Sequence, residues 1–418
     1  MNVMRVQRVE KHIIKRNHPD WKICDKLCFS SKNLYNKVNF IIRSAFLGKT
    51  ENIEDFKDLI KNDRFVGGYE LIKRMTELND HDYRSLKPQS SQQVILQLGT
   101  IWKSYFKSLK SYKSNTSRFS GRPKMPSYKH KEKGRYIVTF TNQNISIKNR
   151  KIFFSRKDCF KKIRTNKIDF QQIKIVPKLD GSYHLCIIYN KEIENVKGRG
   201  YSFGVDLGLN NLMAITSDKV DFRPLLINGR PLKSYNWFWN KNKARLQSEL
   251  KEKFLSKRIT KLTFDRNNKV NDYLHKASRL LINKALENEV TSIVIGYNQG
   301  WKNEINIGKK NNQNFVNIPY EKLIDFIHYK AEENGIRVIM VKEEYTSKCS
   351  SLDKEEIRKH ETYIGNRVKR GLFKTSNRLE INADVNGSLN ILRKVIGDDF
   401  INLLNIGCVL QPELVKIV

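Results

Sequence analysis

Two aspartates stand where a carboxylate is expensive to hold. In "FGVDLG" (203–208) Asp206 interrupts an apolar run, and in "INADVNGSLNI" (381–391) Asp384 falls in the first turn of a helical pattern. Period two along a strand sends Phe203, Val205 and Leu207 to one face. Gly204, Asp206 and Gly208 go to the other, leaving one carboxylate with nothing bulky on either side. The positive end of a helix dipole keeps Asp384 ionised, and Gly387 and Ser388, one turn on, allow close approach to a sheet. Taken singly, the first aspartate reads as a strand-end turn and the second as a helix cap. Taken together they suggest metal-assisted phosphodiester hydrolysis. Two Mg2+ ions roughly 3.5–4 Å apart can make a water nucleophilic and stabilise the leaving oxygen. Such ions take octahedral oxygen ligands from several elements. Two aspartates are too few, so a third acid is expected from the sheet between them.

The chain-wide charge names the kind of partner. Across 418 residues, 79 Lys+Arg against 43 Asp+Glu leave a net charge of +36. Such self-repulsion does nothing for a fold, so a polyanion is the economical explanation. No apolar run reaches membrane-span length, and the start lacks the h-region of a signal peptide. The protein is therefore expected to stay in the cytoplasm, at the nucleoid in a prokaryote. The six cysteines form no framework, which suits a reducing compartment. Cys24 and Cys28 read as small core residues.

The elements that must position these acids follow from periodicity. Residues 4–14 alternate as a first strand, and about 20–109 carry helical spacing, with Ser90 and Ser91 as caps of the second long helix. The stretch 114–135 is rich in Ser, Gly, Pro and Lys, with Phe119, Tyr128 and Tyr136 interleaved at its margins. It reads either as a surface that tracks a nucleic-acid strand or as a solvated linker. Short β-type runs follow, with Asp180-Gly181 as a hairpin turn. They suggest a small barrel or sandwich joined to the first strand. After about residue 200 come a hairpin turned at Asn210-Asn211, a basic helical pair (235–288), the strand "TSIVIGYN", a helix opened by Pro319, and the strand "IRVIMVKEEY". A last helix ends at Gly397. Strand–helix–strand with short connections is the grammar of a mixed α/β sheet.

Five ordered motifs carry a specific resemblance. "GVDLGLNNLMAIT", "INGRPLKSYN", "VIGYNQGWKNEINIGKKNNQNF", "YTSKCSSLD" and "NRVKRGLF…INADVNGSLNI" together resemble TnpB, the compact RNA-guided nuclease of insertion sequences, akin to the smallest type V CRISPR effectors. The resemblance implies an α/β multidomain protein. It would carry an RNase H-like (RuvC) nuclease domain and a β-rich wedge domain with a helical recognition insert. The implied boundaries are 1–15 for the first wedge strand, 16–113 for the helical insert and 114–200 for the rest of the wedge. The nuclease then takes 201–345 and 382–418, separated by an insert at 346–381. The implied partners are a guide RNA derived from the transposon end and target double-stranded DNA beside a short motif, with one protein copy per RNA and no membrane. Base pairing would read sequence while the protein reads backbone and motif. Asp206 matches the first catalytic aspartate of the family and Asp384 the last, with two Mg2+ as cofactor. Lys124, Lys129, Lys131, Arg135, Lys309 and Lys310 are candidate phosphate contacts by charge.

Two departures qualify the match. Where the family ends its second nuclease strand with glutamate, this chain has Gly296. Some relatives draw the acid from the neighbouring strand, and Glu343 is the preferred replacement, with Glu344 the fallback and Glu304 a third choice. The family also commonly carries two C-x-x-C pairs, whereas Cys349 stands alone with Leu352 at its partner's place. One thiolate does not build a structural zinc site, so no zinc is expected, and 346–381 must be held by ordinary packing or ordered against nucleic acid. The rival functions are a nuclease-dead RNA-guided repressor, which Gly296 keeps open, and an unguided RuvC-type nuclease.

Overall fold

A computed structural model describes residues 4–60, 66–154, 159–193, 198–250, 256–298, 317–369 and 371–417. It is mixed α/β and divides into two compact units, Arg5–Lys191 and Glu192–Val418.

In the first unit, strand β1 (Met4–Ile14) leads into the long helix α1 (Trp21–Leu47). Two short helices, α2 (Gly68–Glu77) and α3 (His81–Arg84), precede the equally long α4 (Pro88–Ser114). Leu34, Val38, Ile41 and Ile42 recur at three and four along α1, as do Val94, Ile95, Leu98 and Trp102 along α4, and these rows bury against each other. The Trp102 indole donates to Asn39 Oδ1 at 3.0 Å across that seam. Helix α4 begins at Pro88 rather than at the expected serine caps. Proline suits the first helical position because its missing N–H would be unpaired there anyway. Ser91 Oγ instead donates to the Tyr83 carbonyl at 2.6 Å.

Strand β2 (Val138–Thr141) joins a four-stranded sheet with β6 (Phe170–Pro177), β7 (Tyr183–Ile193) and β1, in the order β1-β7-β6-β2. The chain's first strand therefore pairs with one lying beyond the helices. Gly181, at φ +80°, turns the β6–β7 hairpin. A second sheet holds β3 (Ser146–Lys148), β4 (Lys151–Phe153) and β5 (Cys159–Arg164). Cys24 and Cys28 lie buried among Val138, Phe140 and Ile173 as core residues.

The second half of 114–135 is not a solvated linker but an extended strap pinned to α1 through its backbone. Asn36 pairs with both the N–H and the carbonyl of Lys129 at 2.8 Å, and Asn39 donates to the Pro126 carbonyl at 3.1 Å. Tyr136, just beyond, packs on Tyr35 at 4.4 Å between ring centroids.

The second unit is built on a six-stranded sheet. In chain order its strands are β8 (Tyr201–Leu207), β9 (Asn211–Ser217), β10 (Leu225–Asn228), β11 (Val290–Gly296), β12 (Arg337–Val341) and β16 (Glu413–Val415). Their spatial order is β12-β11-β8-β9-β10-β16. Strands β8, β9 and β10 are antiparallel neighbours, whereas β11 runs parallel to β8 and to β12. One face, carrying Phe203, Val205 and Leu207, packs against α6 (Lys257–Glu287) and α7 (Tyr320–Glu332) through Leu274, Leu281, Leu323 and Ile327. Helix α5 (Arg230–Ser248) pairs with α6. The other face takes α8 (Ala383–Ile396), whose Val385, Leu389 and Leu392 meet Ala214 and Val294.

Between β12 and α8, residues 346–381 include β13 (Asn366–Lys369) and β14 (Leu372–Lys374), which pair with β15 (Glu380–Asn382). Polar residues on one face of α8 hold this segment. Asn386 receives the Ser351 N–H at 2.9 Å, and Asn390 donates to the Cys349 carbonyl at 2.7 Å. The buried Arg393 donates to Asp398 at 2.7 Å, to Asn390 at 2.7 Å and to the Glu355 carbonyl at 3.0 Å. Removing Arg393 leaves buried acceptors such as Asn390 Oδ1 and the Glu355 carbonyl without a donor, at about 1–3 kcal/mol for an unsatisfied group. Arg393→Ala is expected to lower Tm clearly and to open 346–381 to limited proteolysis before the rest of the unit.

Candidate active site

Strand β8 presents Asp206 on the face covered by α8, and small residues let that helix come close. A Cβ on Gly204 would lie 2.5 Å from the Ser388 carbonyl oxygen, so no larger residue fits without moving α8. Ser388 Oγ donates to the Gly204 carbonyl at 2.8 Å and stands 2.9 Å from Thr216 Oγ1, pinning helix to sheet. A Cβ on Gly387 would lie 3.0 Å from Asp206 Oδ2. The carboxylate of Asp206 thus faces the first turns of α8 at close range.

Asp384 occupies that first turn without serving as its cap. Asn382 is the N-cap, receiving the N–H groups of Asp384 and Val385 at 3.0 and 3.3 Å. The Asp384 carboxylate is instead oriented by Asn211, whose Nδ2 donates to Oδ2 at 2.8 Å, with Arg367 at 3.9 Å from Oδ1. Sequence reading treated Asn211 only as a turn residue and did not single out Arg367. Neither carries a local signal, because each acts on a residue far away in the chain.

Glu343 follows the end of β12, and the register explains how it reaches the pocket. Gly204 and Val205 pair with Val294 and Ile295, so one further step sets Gly296 beside Asp206. Gly296 in turn pairs with Val341 of β12. A Cβ on Gly296 would lie 2.7 Å from Glu343 Cγ and 2.8 Å from its Oε1. The space left by the absent side chain at 296 is therefore shared by Ile391 Cδ1, at 2.5 Å, and the Glu343 side chain. The Asn298 side chain accepts the Glu343 N–H at 3.1 Å. Lys394 steadies the same turn by donating to the carbonyls of Lys342 and Glu344 at 2.7 and 2.9 Å. Glu344 itself is exposed.

The electrostatics are those of acids forced together. Burial, then Glu343, then Asp384 raise the Asp206 carboxyl well above its usual range, and Arg367 offsets this only in part. Burial raises Glu343 from 4.5 to about 7 against the opposing charge of Lys394. The nearby phenol of Tyr320, fully buried and donating to the Gly208 carbonyl at 2.9 Å, is held neutral by burial and by both acids. Oε1 of Glu343 is buried without a hydrogen-bond partner. An orphaned carboxylate oxygen facing another acid is the donor a hard cation takes up. Among the described residues no group of three or more His, Cys, Asp and Glu side chains is placed to hold a metal ion, so the donors on offer are neighbouring acids and not a three-acid set. Mg2+ often keeps several waters and few protein ligands, so the donor set fits it.

Because the folded protein binds the Glu343 proton more tightly than the unfolded chain, this carboxyl stabilises fully below about pH 4.5. That contribution is lost as pH rises through about 7. In chelator, Glu343→Gln is expected to be more stable than the parent at pH 8, by on the order of 2 kcal/mol, and not at pH 4. Thermal melts of both proteins, with and without Mg2+, measure the difference.

The remaining candidate residues distribute as follows. Arg135 makes a bidentate pair with Asp25 at 2.9 Å, so its guanidinium is engaged inside its own unit. Lys129 stands 5.1 Å over the Tyr35 ring, while Lys124 and Lys131 are exposed. The Lys131 carbonyl accepts Lys32 Nζ at 2.6 Å. Lys309, Lys310 and Glu304 lie outside the described residues. The Cys349 thiol is buried against the carbonyls of Glu356 and Arg358.

Comparison with known proteins follows this geometry. Residues 184–302 match the family model for the OrfB_IS605 probable transposase, and residues 320–391 that of the Cas12f1-like TNB domain. The chain is 27% identical over 232 residues to the "CRISPR-associated endodeoxyribonuclease Cas12f2" of a Micrarchaeota archaeon, covering 52% of this chain and 41% of that protein. It is also 27% identical over 237 residues to "TnpB-like protein ORF457" of Acidianus two-tailed virus, covering 52% and 47%. The match thus spans less than half the length of each curated relative. Among solved structures, a Cas12f1-sgRNA-target DNA complex aligns with TM-score 0.50 and 16% identity over 88% of this chain and 82% of that one, which is a likeness of fold. Among the described residues no helix is long and apolar enough to cross a membrane.

Proposed function

We propose that this chain, a TnpB-type relative of the compact type V effectors, is an RNA-guided DNA endonuclease with its cutting centre at Asp206, Glu343 and Asp384. The observation that carries the reading is the placement of Glu343 against Gly296, opposite Asp206. It would supply a third acid where the sequence has glycine, and so favours cutting over the repressor alternative. In this reading the second unit is the RNase H-like nuclease. Its antiparallel β10-β9-β8 strands, parallel β11 and β12, and covering α8 support that fold. The first unit would supply the wedge and recognition parts.

Asp206 and Glu343 would hold one side of a divalent site, with Asp384, aligned by Asn211, on the other. Two Mg2+ ions, if bound by these acids, would supply an activated water and charge stabilisation of the leaving oxygen. The glycines at 204 and 387 keep α8 close enough for its acid to share the pocket. Gly208 leaves the rim uncluttered for a phosphodiester, and Tyr320 fixes the Gly208 carbonyl from beneath. Arg367 and Lys394 offset part of the surplus negative charge.

The test has two steps. RNA that copurifies with the protein should be one discrete species ending in variable sequence, which supports guidance; bulk cellular RNA does not. The complex, given duplex DNA matching the variable part, should cut it with Mg2+ and only bind it in chelator. Binding without cutting in Mg2+ would return the repressor reading.

A further inference from the structure

One face of α5 carries features that the hairpin itself does not need. Trp237 and Phe238 are each 56% exposed, although two adjacent large aromatics rarely face water without a partner. The opposite side of the helix secures it. Leu232 and Asn236 are buried, and the Trp239 indole donates to Thr263 Oγ1 of α6 at 3.1 Å. Arg230, Lys233, Trp237 and Lys241 follow one another at three and four residues and share a face. Lys241 Nζ stands 5.2 Å from the centre of the Trp237 ring. The face alternates cation, aromatic, cation, which suits phosphates and bases in turn.

This stripe is continuous with the acid pocket. The Gly229 N–H, just before α5, donates to the Asn210 carbonyl at 2.7 Å, and Lys233 Nζ reaches Asn210 Oδ1 at 2.8 Å. The next residue, Asn211, holds the Asp384 carboxylate. Trp237 then lies roughly 12 Å along the helix axis from Gly229 at the usual rise per residue. A strand leaving the acids along α5 would meet Lys233, then Trp237 with Phe238 on its flank, then Lys241.

We propose that the Lys233–Trp237–Lys241 face of α5, with Phe238 exposed on the flank beside Trp237, is a stacking platform for the single DNA strand fed to the Asp206–Glu343–Asp384 pocket, an inference that rests on the nuclease reading above. Bases stack on Trp237 and Phe238 without sequence preference, and the lysines take the flanking phosphates. Occupancy here would hold an unpaired strand against the acids.

The test uses the full chain in chelator, so that binding is read without cleavage, and a fluorescent oligo-dT as probe. Trp237→Ala with Phe238→Ala is expected to weaken oligo-dT binding about tenfold and to slow guided cleavage, with guide-RNA affinity unchanged. Trp237→Phe should keep most of the binding, because a ring remains. As an independent measurement on the unaltered protein, an oligonucleotide bearing 5-iododeoxyuridine should photocrosslink to the peptide containing Trp237 and Phe238. Unchanged oligo-dT affinity in the double variant, or crosslinks only elsewhere, overturns the platform. Loss of RNA affinity alone also overturns it, assigning the face to RNA. If the parent cuts nothing but the binding and crosslinking results hold, the platform stands and the nuclease reading fails.

Discussion

Glu343→Gln is expected to abolish guided DNA cleavage, with a loss on the order of a thousandfold or more, at least that of deleting one preorganised charge-stabilising group. Guide-RNA and target-DNA binding should stay at the parent level. Asp206→Asn and Asp384→Asn should do the same, whereas Glu344→Gln should cut normally. The contrast between 343 and 344 is the informative part. The two glutamates are adjacent, but one places an unpartnered oxygen over Gly296 and the other is exposed. Asn211→Ala should give an intermediate loss of about tenfold to a hundredfold, the usual cost of removing a group that orients a metal ligand. Single-turnover cleavage of a matched duplex, set beside filter binding, separates these outcomes. Full activity in Glu343→Gln would remove the third acid from the mechanism.

The second large effect belongs to packing. Gly204→Val is expected to destabilise the second unit and to abolish cleavage together. A side chain there meets the Ser388 backbone, Leu392 Cβ and Thr216 Oγ1 within 3.0 Å, and backbone cannot swing aside as a side-chain end can. Overpacking of this kind costs about 1–3 kcal/mol, and because α8 carries Asp384, any retreat of the helix also takes an acid out of the pocket. A Tm drop accompanied by loss of cleavage, with 5–191 still folded by limited proteolysis, is the expected pattern. Gly397, at φ +81° with open space around it, offers a control for glycine loss without crowding. Gly397→Ala should cost some stability and leave cleavage in the folded fraction intact.

Much of this arrangement was legible in one dimension. Asp206 could be placed on the open face of its strand because side chains alternate strictly, and Asp384 in the first turn of its helix because the apolar spacing begins there. The strands and helices around them followed from the same periodicities. Other local readings failed where one composition serves two environments. The composition of 114–135 suits a linker or a binding surface alike, and only the pairing of the Lys129 backbone with Asn36 shows a strap fixed to α1. Ser90 and Ser91 looked like caps, but Pro88 started the helix before them. The Asp384 position looked like a cap, yet Asn382 does that work and leaves the carboxylate to Asn211.

What the sequence determined by itself was a strongly basic chain with two acids on elements built to approach each other. Charge and short-range periodicity are properties of neighbours along the chain, so they need no fold to be read. For the third acid the resemblance favoured Glu343 over Glu344, and tertiary structure decides which of the two lies against Gly296. Gly296 is a missing glutamate in the linear order and a vacancy that Glu343 shares with Ile391 in space, because parallel pairing of β11 with β12 brings together residues 47 positions apart. Register between strands joined through a helix is set by packing across the whole sheet, and no local pattern encodes it.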